Sequence, residues 1–145
     1  IGGTPPQLAH PERNLPLYRA LSQAIQNGLI QTAHDCSEGG VGVAVAEMCI
    51  GGRLGATIDL DGTGDESLWA RLWGESLGRF VVAVNPSKEA EFVQWMSGQP
   101  LTFLGEAVDN NTLTITDGFE EIVSTQVEAM VASWQEALDM TGGVE

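Results

Sequence analysis

The apolar residues of this chain recur at helical spacing in some segments and in short runs in others, and the two kinds of segment alternate. Helical spacing predicts a first helix over residues 12–27, which ends at Asn27–Gly28. Residues 29–34 predict a short strand and residues 40–50 a second helix. This second helix is rich in Val and Gly, which are weak helix formers, so we expect tertiary packing to bury it. The apolar face of the first helix consists of Leu17, Leu21, Ala24 and Ile25.

The middle of the chain continues this alternation. Residues 55–60 alternate well enough for a strand, and residues 65–73 predict a short helix after a loop. Residues 79–84 are almost continuously apolar, which favours a strand buried on both faces. Asn85 and Pro86 are typical of a helix start, since Asn caps and Pro suits the first turn. The apolar face of that helix would consist of Phe92, Val93 and Met96.

The last third of the chain predicts two strands and a long helix. Residues 101–108 favour a strand, and Asn110–Asn111 favours a hairpin turn into a strand over residues 112–116. Apolar positions three and four apart predict a final amphipathic helix over residues 120–139. The residues on its face are Val123, Val127, Met130, Val131, Trp134 and Leu138. The whole pattern predicts an α/β or α+β domain with a mixed sheet flanked by helices.

Size and composition favour one globular domain. The chain has 145 residues, of which 43% are hydrophobic, and this is enough to bury a core. Residues 1–9 are rich in turn-forming residues and predict a linker from a preceding domain, which leaves residues 10–145 as the domain itself. No apolar run approaches the roughly 18 residues of a membrane span. We therefore expect a cytoplasmic protein with neither a signal peptide nor membrane contact.

The charge balance argues against one class of partner. Twenty acidic residues against six Lys and Arg give a formal net charge of −14. Nucleic-acid binding depends on clustered cations, so we expect no nucleic acid partner. The same field repels any phosphate, so a phosphate site here would need local donors, such as backbone N–H groups and an arginine.

The densest group of chemically useful residues is the segment Ala33–Gly40, between a predicted strand and a predicted helix. A strand–loop–helix connection through Gly39 and Gly40 directs backbone N–H groups outward, and the helix dipole favours an anion there. The segment matches neither a Walker A pattern nor a dinucleotide fingerprint. Two interpretations remain open, namely a phosphate site and a tight connection that needs glycine for its backbone conformation.

Three side chains of this loop, His34, Asp35 and Ser37, can donate or accept hydrogen bonds. His34 could act as a general base, because imidazole exchanges protons near neutral pH, or it could be a structural residue. The chain contains no His and Cys at zinc-ligand spacing, so we predict no metal site, and we assign no catalytic residue. Cys36 is predicted to be a loop residue and Cys49 a buried small hydrophobe.

A second candidate segment, Gly74–Arg79, precedes the predicted strand of residues 79–84. Arg79 is one of few cations and could offset the acidic field at a phosphate. Glu75 could hold Mg²⁺ or pair with Arg79, and an exposed pair of that kind is worth about 0–1 kcal/mol. The alternative to a functional role is therefore an ordinary ion pair at a strand entry.

Four segments of the chain resemble the last domain of the phosphoribosylformylglycinamidine synthase (FGAM synthase) family, a member of the AIR synthase-related C-terminal domains. The first is Gly28–Met48, which contains His-Asp-Cys-Ser-Glu-Gly-Gly followed by Ala-Val-Ala-Glu-Met. The second is Gly74–Val82, with a Glu-Ser-x-x-Arg pattern. Pro100–Val108 and residues 120–138 resemble later segments of the same domain. The resemblance covers nearly the whole chain in the right order.

This resemblance implies a fold and an activity. The fold is α+β in α/β/α layers, like the AIR synthetase C-terminal domain and partly ferredoxin-like. The activity is that of the ligase of purine biosynthesis that converts formylglycinamide ribonucleotide (FGAR), glutamine and ATP into formylglycinamidine ribonucleotide, glutamate, ADP and phosphate. A preceding ATP-binding domain of the parent chain would bind most of the ATP and Mg²⁺. A glutaminase domain or subunit is a further implied partner. The isolated chain is expected to be inactive and to bind no cofactor tightly.

The resemblance also implies a cleft that closes on a phosphorylated ligand. Its candidate residues are Ser37, Gly39, Gly40 and Arg79, with His34, Asp35, Glu75 and Ser76 in support. Leu77 stands where the substrate-binding copy of this domain has Gln, which favours the copy beside the family's auxiliary nucleotide site. One alternative is an acidic binding or assembly module in which the loop is only a turn. Another is a domain of a different AIR synthetase superfamily member.

Overall fold

The computed structural model describes residues 11–64 and 67–138. The predicted linker, the predicted helix start at residue 65 and the predicted helix end at residue 139 lie outside these ranges. In chain order the elements are α1 (Pro11–Gln26), β1 (Thr32–Asp35), α2 (Gly40–Gly52), β2 (Gly55–Asp59), α3 (Leu68–Trp73), β3 (Phe80–Ala83), a 3₁₀ turn (Pro86–Lys88), α4 (Glu89–Trp95), β4 (Gly105–Val108), β5 (Thr112–Asp117), β6 (Glu120–Gln126) and α5 (Val127–Leu138).

These elements divide into two compact units whose segments are interleaved in the sequence. The first unit comprises the described residues up to Val45 and from Ser67 to Phe103, and the second comprises Ala46–Gly64 and the chain from Leu104 onward. Helix α2 is shared, because the division falls between its residues 45 and 46. Each unit contains both helices and strands, so the predicted α+β class with sheets flanked by helices is confirmed.

One hydrophobic core cluster of the first unit is formed by α1, α4 and the chain between α1 and β1. Its buried members are Leu21, Ala24, Leu29, Ile30, Phe92 and Met96, against which Leu17, Ala20, Val82 and Val84 pack. Two positions predicted for these helix faces are wrong, since Ile25 and Val93 are about half exposed. Both lie beside the buried stripe, where a helical pattern alone does not separate flank from face.

The predicted end of α1 and the predicted helix start before α4 both have the expected capping. After α1, Gly28 takes φ +66°, its N–H donates to Ile25 O, and Leu29 N–H donates to Ala24 O, both at 2.9 Å. This is the Schellman arrangement that glycine favours. Lys88 Nζ also donates to Gly28 O at 2.7 Å, so a cation closes the end of the helix. Before α4, Asn85 Oδ1 accepts from Ser87 N–H at 2.9 Å, which confirms Asn as the cap.

Strand β3 is not buried on both faces, contrary to its apolar sequence. It pairs only with β1, in an antiparallel two-stranded sheet in which Asp35 lies opposite Phe80. Its residues Val81, Val82 and Ala83 are half-buried and Phe80 is exposed. Phe80 of β3 contacts α1, since the rings of Tyr18 and Phe80 meet edge to face with their centroids 5.8 Å apart.

The second unit is built on a four-stranded sheet in the order β4-β2-β5-β6. The inner strand β2 shows the predicted alternation, with Ala56 and Ile58 buried and Thr57 and Asp59 exposed. Leu60, directly after the strand, is also buried. The other buried apolar residues of this unit are Cys49, Leu113, Ile115, Val127 and Val131. The sheet is mixed, because β2 pairs antiparallel with β4 and parallel with β5.

The hairpin predicted at Asn110–Asn111 is wrong, although the turn itself exists. Strands β4 and β5 do not pair with each other, since β2 lies between them. Asn111 has φ +55°, and Asn110 Oδ1 accepts from Thr112 N–H at 3.0 Å, which is the local geometry of a tight Asn turn. The turn crosses β2 at Gly55, where an added Cβ would lie 2.5 Å from Asn110 Oδ1. Glycine therefore permits the crossing.

The predicted helix over residues 120–139 is wrong in its first turns. Residues Glu120–Gln126 form β6, which pairs antiparallel with β5 after a turn at Gly118, whose φ is +61°. The segment contains Ile, Val and Thr, whose branched side chains favour a strand once a partner strand is present. Helix α5 starts at Val127 and buries Val127 and Val131, whereas Trp134 is half exposed.

Across the described residues, no helix is both long enough and apolar enough to cross a lipid bilayer.

Candidate functional site

The loop before α2 is a tight turn built on two successive glycines. Gly39 has φ +74° and Gly40 has φ +62°, a region that other residues seldom adopt. Gly40 N–H donates to Ser37 O, and Val43 N–H donates to Gly39 O, each at 3.3 Å. The second of these is the first hydrogen bond of the helix, so the two glycines form the turn that leads directly into α2.

The start of α2 lies against the end of α3. A Cβ added to Gly40 would be 2.8 Å from Gly74 O and from Trp73 C, and 2.9 Å from Leu72 O. Two residues further on, a Cβ on Gly42 would be 2.7 Å from the Trp73 ring. Gly40 and Gly42 are accordingly buried. Nothing in the sequence pattern predicted this contact.

The structure brings the two sequence-predicted segments together. Cys36 N–H donates to Arg79 O at 3.0 Å, which extends the pairing of β1 with β3. Gly39 N–H donates to Oε1 of Glu75 at 2.9 Å, across 36 residues of sequence. A carboxylate of the chain therefore occupies a backbone donor at the N-terminus of α2, where the helix dipole favours negative charge.

Arg79 holds the backbone of the adjacent turn. One terminal nitrogen of its guanidinium donates to Gly74 O and the other to Arg71 O, both at 3.1 Å. These carbonyls belong to the C-terminal end of α3, where a cation is favoured. In the part of the chain that the structure describes, no ion pair joins Glu75 to Arg79, so the surface pair considered from the sequence is not formed. The remaining N–H groups of the guanidinium are the ones a ligand could use.

Asp35, Ser37 and His34 form a cluster at the end of β1. Ser37 Oγ donates a hydrogen bond to Asp35 Oδ2, and this bond is the main reason that the pKa of the Asp35 carboxyl is lowered. Nδ1 of His34 lies 2.7 Å from Asp35 O and 3.7 Å from Asp35 Oδ1. A carbonyl oxygen only accepts, so Nδ1 carries the proton in this contact. Ser76 is exposed in the neighbouring loop.

The two cysteines are free and buried. Burial raises the pKa of the Cys36 thiol, and burial likewise raises the pKa of the Cys49 thiol. Neither has the exposed, easily ionised thiol of a nucleophile, which agrees with the prediction of a loop residue and a buried hydrophobe. Among the described residues, no group of three or more His, Cys, Asp and Glu is placed to hold a metal ion.

The fold and this site define a class of protein, an α+β domain in which a strand–Gly-Gly–helix connection meets a Glu-Ser-x-x-Arg segment. The chain belongs to the family of AIR synthase related proteins, through their C-terminal domain, whose sequence profile matches residues 2–118.

Two curated relatives with the same name illustrate this membership. The chain is 36% identical over 148 aligned residues to phosphoribosylformylglycinamidine synthase subunit PurL of a Synechocystis species. This alignment covers 95% of this chain and 18% of that protein. It is 38% identical over 115 residues to the subunit of the same name from Deinococcus radiodurans. That alignment covers 79% of this chain and 15% of the relative. The chain thus spans less than a fifth of the length of these relatives.

Solved structures share the fold. A structure of PurLQS from Thermotoga maritima matches with a TM-score of 0.75 at 24% identity, over 86% of this chain and 22% of that chain. T. maritima PurL complexed with FGAR matches with a TM-score of 0.74 at 23% identity, over 85% and 21%. T. maritima PurL complexed with ATP matches with a TM-score of 0.70 at 23% identity, over 79% and 21%. The likeness confirms the predicted AIR synthetase-like fold.

Proposed function

We propose that this chain is the C-terminal domain of an ATP-dependent ligase that converts FGAR to formylglycinamidine ribonucleotide with glutamine as the nitrogen source. The proposal is supported by the family membership and by relatives named for that enzyme over most of this chain. Complexes of the T. maritima protein with FGAR and with ATP support the substrate class. The isolated chain is inactive in this proposal, because it spans only a fraction of such an enzyme.

The observation that carries the site proposal is the meeting of the two segments at Gly39. Its N–H already holds a carboxylate, so the position attracts an anion. We propose that a phosphate of the ribonucleotide or of ADP binds here, on Ser37, Gly39, Gly40 and the free side of Arg79. His34, Asp35, Glu75 and Ser76 would support this loop. The chain's own residues therefore bind and orient a phosphate, and no proton transfer is assigned to them.

The remaining ligands and partners are assigned to other parts of the enzyme. As the family resemblance implies, Mg²⁺ and most of the ATP would be held by a preceding ATP-binding domain. Among the described residues, no group of three or more His, Cys, Asp and Glu is placed to hold a metal ion. Glutamine hydrolysis needs a reactive thiolate, which neither buried cysteine provides, so a glutaminase domain or subunit would supply the ammonia. A cytoplasmic location follows from this role and is part of the proposal.

The enzyme assignment is tested with the full-length protein that contains this chain. We expect FGAR-dependent release of ADP from ATP when ammonium chloride replaces glutamine. Ser37→Ala should raise KM for FGAR or ATP. Ser97 is an exposed serine outside the loop, so the control variant Ser97→Ala should leave both KM values unchanged. A folded protein without FGAR-dependent ADP release would exclude the ligase.

The alternative of a non-catalytic assembly module has one observation in its favour. Gly39 and Gly40 both have positive φ angles, and a Cβ added to either would collide with neighbouring atoms. A turn without any ligand would require glycine at both positions for the same reasons. The two functions separate in the Ser37→Ala assay, because an assembly module predicts the same kinetics as for the control. Calorimetry of the isolated chain with ADP should show little binding, and micromolar affinity would contradict a site that another domain completes.

A further inference from the structure

The contact between Glu75 and Gly39 has a consequence for how the proposed site admits a ligand. Glu75 Oε1 accepts from Gly39 N–H at 2.9 Å, and a charged acceptor on a backbone donor is a strong hydrogen bond. A single N–H cannot serve this carboxylate and a phosphate oxygen together. Two negative charges at that distance would also repel each other. A ligand phosphate must therefore displace Glu75.

We propose that Glu75 is an internal competitor that sets which anions bind the Gly39–Gly40 loop. This inference rests on the proposed anion site. A carboxylate at this position excludes singly charged anions such as chloride or acetate, which gain no more from the N–H than Glu75 does. A phosphate dianion has more charge and more acceptor atoms, so it displaces the carboxylate. Glu75 thereby determines specificity for phosphorylated ligands.

The geometry allows the carboxylate to leave while the loop keeps its shape. Glu75 is exposed, so its carboxylate can return to water. The turn beneath it is fixed by other contacts, since Arg79 binds Gly74 O and Arg71 O and the backbone of Trp73 and Gly74 lies against Gly40. Rotation of one side chain is therefore sufficient, and the donor at Gly39 remains in place for the ligand.

The test is a titration of the full-length protein that contains this chain, labelled with ¹⁵N-glycine, with inorganic phosphate, followed at the Gly39 amide by NMR. Glu75→Gln and Glu75→Ala remove the competing charge, and both should bind phosphate at least tenfold more tightly than the wild type. They should also bind acetate measurably. Glu106→Gln is the matched control, because Glu106 is an exposed glutamate of β4 and its loss changes net charge equally. The control should stay within twofold of the wild type.

Each outcome decides a different claim. Tighter binding in both Glu75 variants but not in the control supports the competition. A wild type that binds phosphate at Gly39, with Glu75 variants equal to the control, overturns the competition and leaves the anion site standing. Absence of any phosphate-dependent shift at Gly39 in every variant overturns the anion site, and the inference with it. The wild type supplies an independent measurement, because the ¹³C shift of the Glu75 carboxyl must change on saturation with phosphate if it is displaced.

Discussion

The substitution Gly40→Ala tests whether the start of α2 depends on close backbone contact with the end of α3. The new methyl group would lie 2.8 Å from Gly74 O and Trp73 C and 2.9 Å from Leu72 O. All three are backbone atoms, and the turn that carries them is also bound by Arg79. The neighbours therefore cannot yield by a change of side-chain rotamer.

The expected loss of stability is the sum of two effects. An alanine at φ +62° is in the left-handed region, which costs roughly 1–2 kcal/mol for a residue with a Cβ. Overpacking against fixed neighbours costs about 1–3 kcal/mol more. The free energy of unfolding should therefore fall by about 2–5 kcal/mol, a large part of the roughly 5–15 kcal/mol of a whole domain.

Urea denaturation followed by ¹H–¹⁵N NMR measures this loss at resonances of the first unit. Gly51→Ala is the matched control, because Gly51 lies in the last turn of the same helix and an added Cβ would meet nothing within 4 Å. Because Gly51 belongs to the second unit, the control is measured at resonances of that unit, where it should be stabilised by about 0.4–1 kcal/mol, since alanine restricts the unfolded chain more than glycine does. A Gly40→Ala protein as stable as the wild type would refute the packing argument.

Gly39→Ala separates backbone strain from contact. Here the new methyl would meet the side chain of Val43, and Gly39 has φ +74°. The double variant Gly39→Ala/Val43→Ala removes the contact and keeps the strain, so it should recover only part of the stability lost. Complete recovery would show that the left-handed backbone costs nothing here.

Three further outcomes are expected. Ser37→Ala should raise the pKa of the Asp35 carboxyl in a ¹³C NMR titration. In the wild type the folded-state pKa of Asp35 is lowered, so the stability that this carboxylate contributes is present above the unfolded pKa of about 3.9. That contribution is lost as pH falls through the folded-state pKa. Cys36 and Cys49 should react slowly with a thiol reagent in the native protein and rapidly in urea, because burial raises both pKa values; rapid native reaction would contradict their burial. Ile58→Ala should lower the free energy of unfolding of the second unit by about 2–5 kcal/mol, since Ile58 is 5% exposed between two partner strands.

The sequence predicted local features well where a single residue type determines the backbone. Gly28 ended α1, Asn85 capped the turn before α4, and Asn111 took a positive φ. Each depends on neighbours within a few residues. The alternation of β2 was also correctly read, since one of its faces is buried and the other is exposed.

Features that depend on distant pairing were predicted less well. The turn at Asn110–Asn111 carries no information about β2, which lies between the two strands that the turn connects. Val123 lies at helical spacing from Val127 and Met130, but residues 120–126 are also rich in branched side chains, and pairing with β5 decides in favour of a strand. The partners of Glu75 and Arg79 lie in backbone that the fold brings close, so the sequence suggested a pair between them instead.

The interleaving of the two units bears on synthesis and on truncation. A ribosome that has released residues up to Phe103 has completed the first unit, while β2 is already made and both of its neighbours are still missing. Until β4 and β5 emerge, Ala56, Ile58 and Leu60 have no sheet to enter, and an apolar strand with open edges is prone to aggregate. A protein cut after Phe103 would keep that exposed strand permanently, so a soluble shortened version must remove Ala46–Gly64 as well.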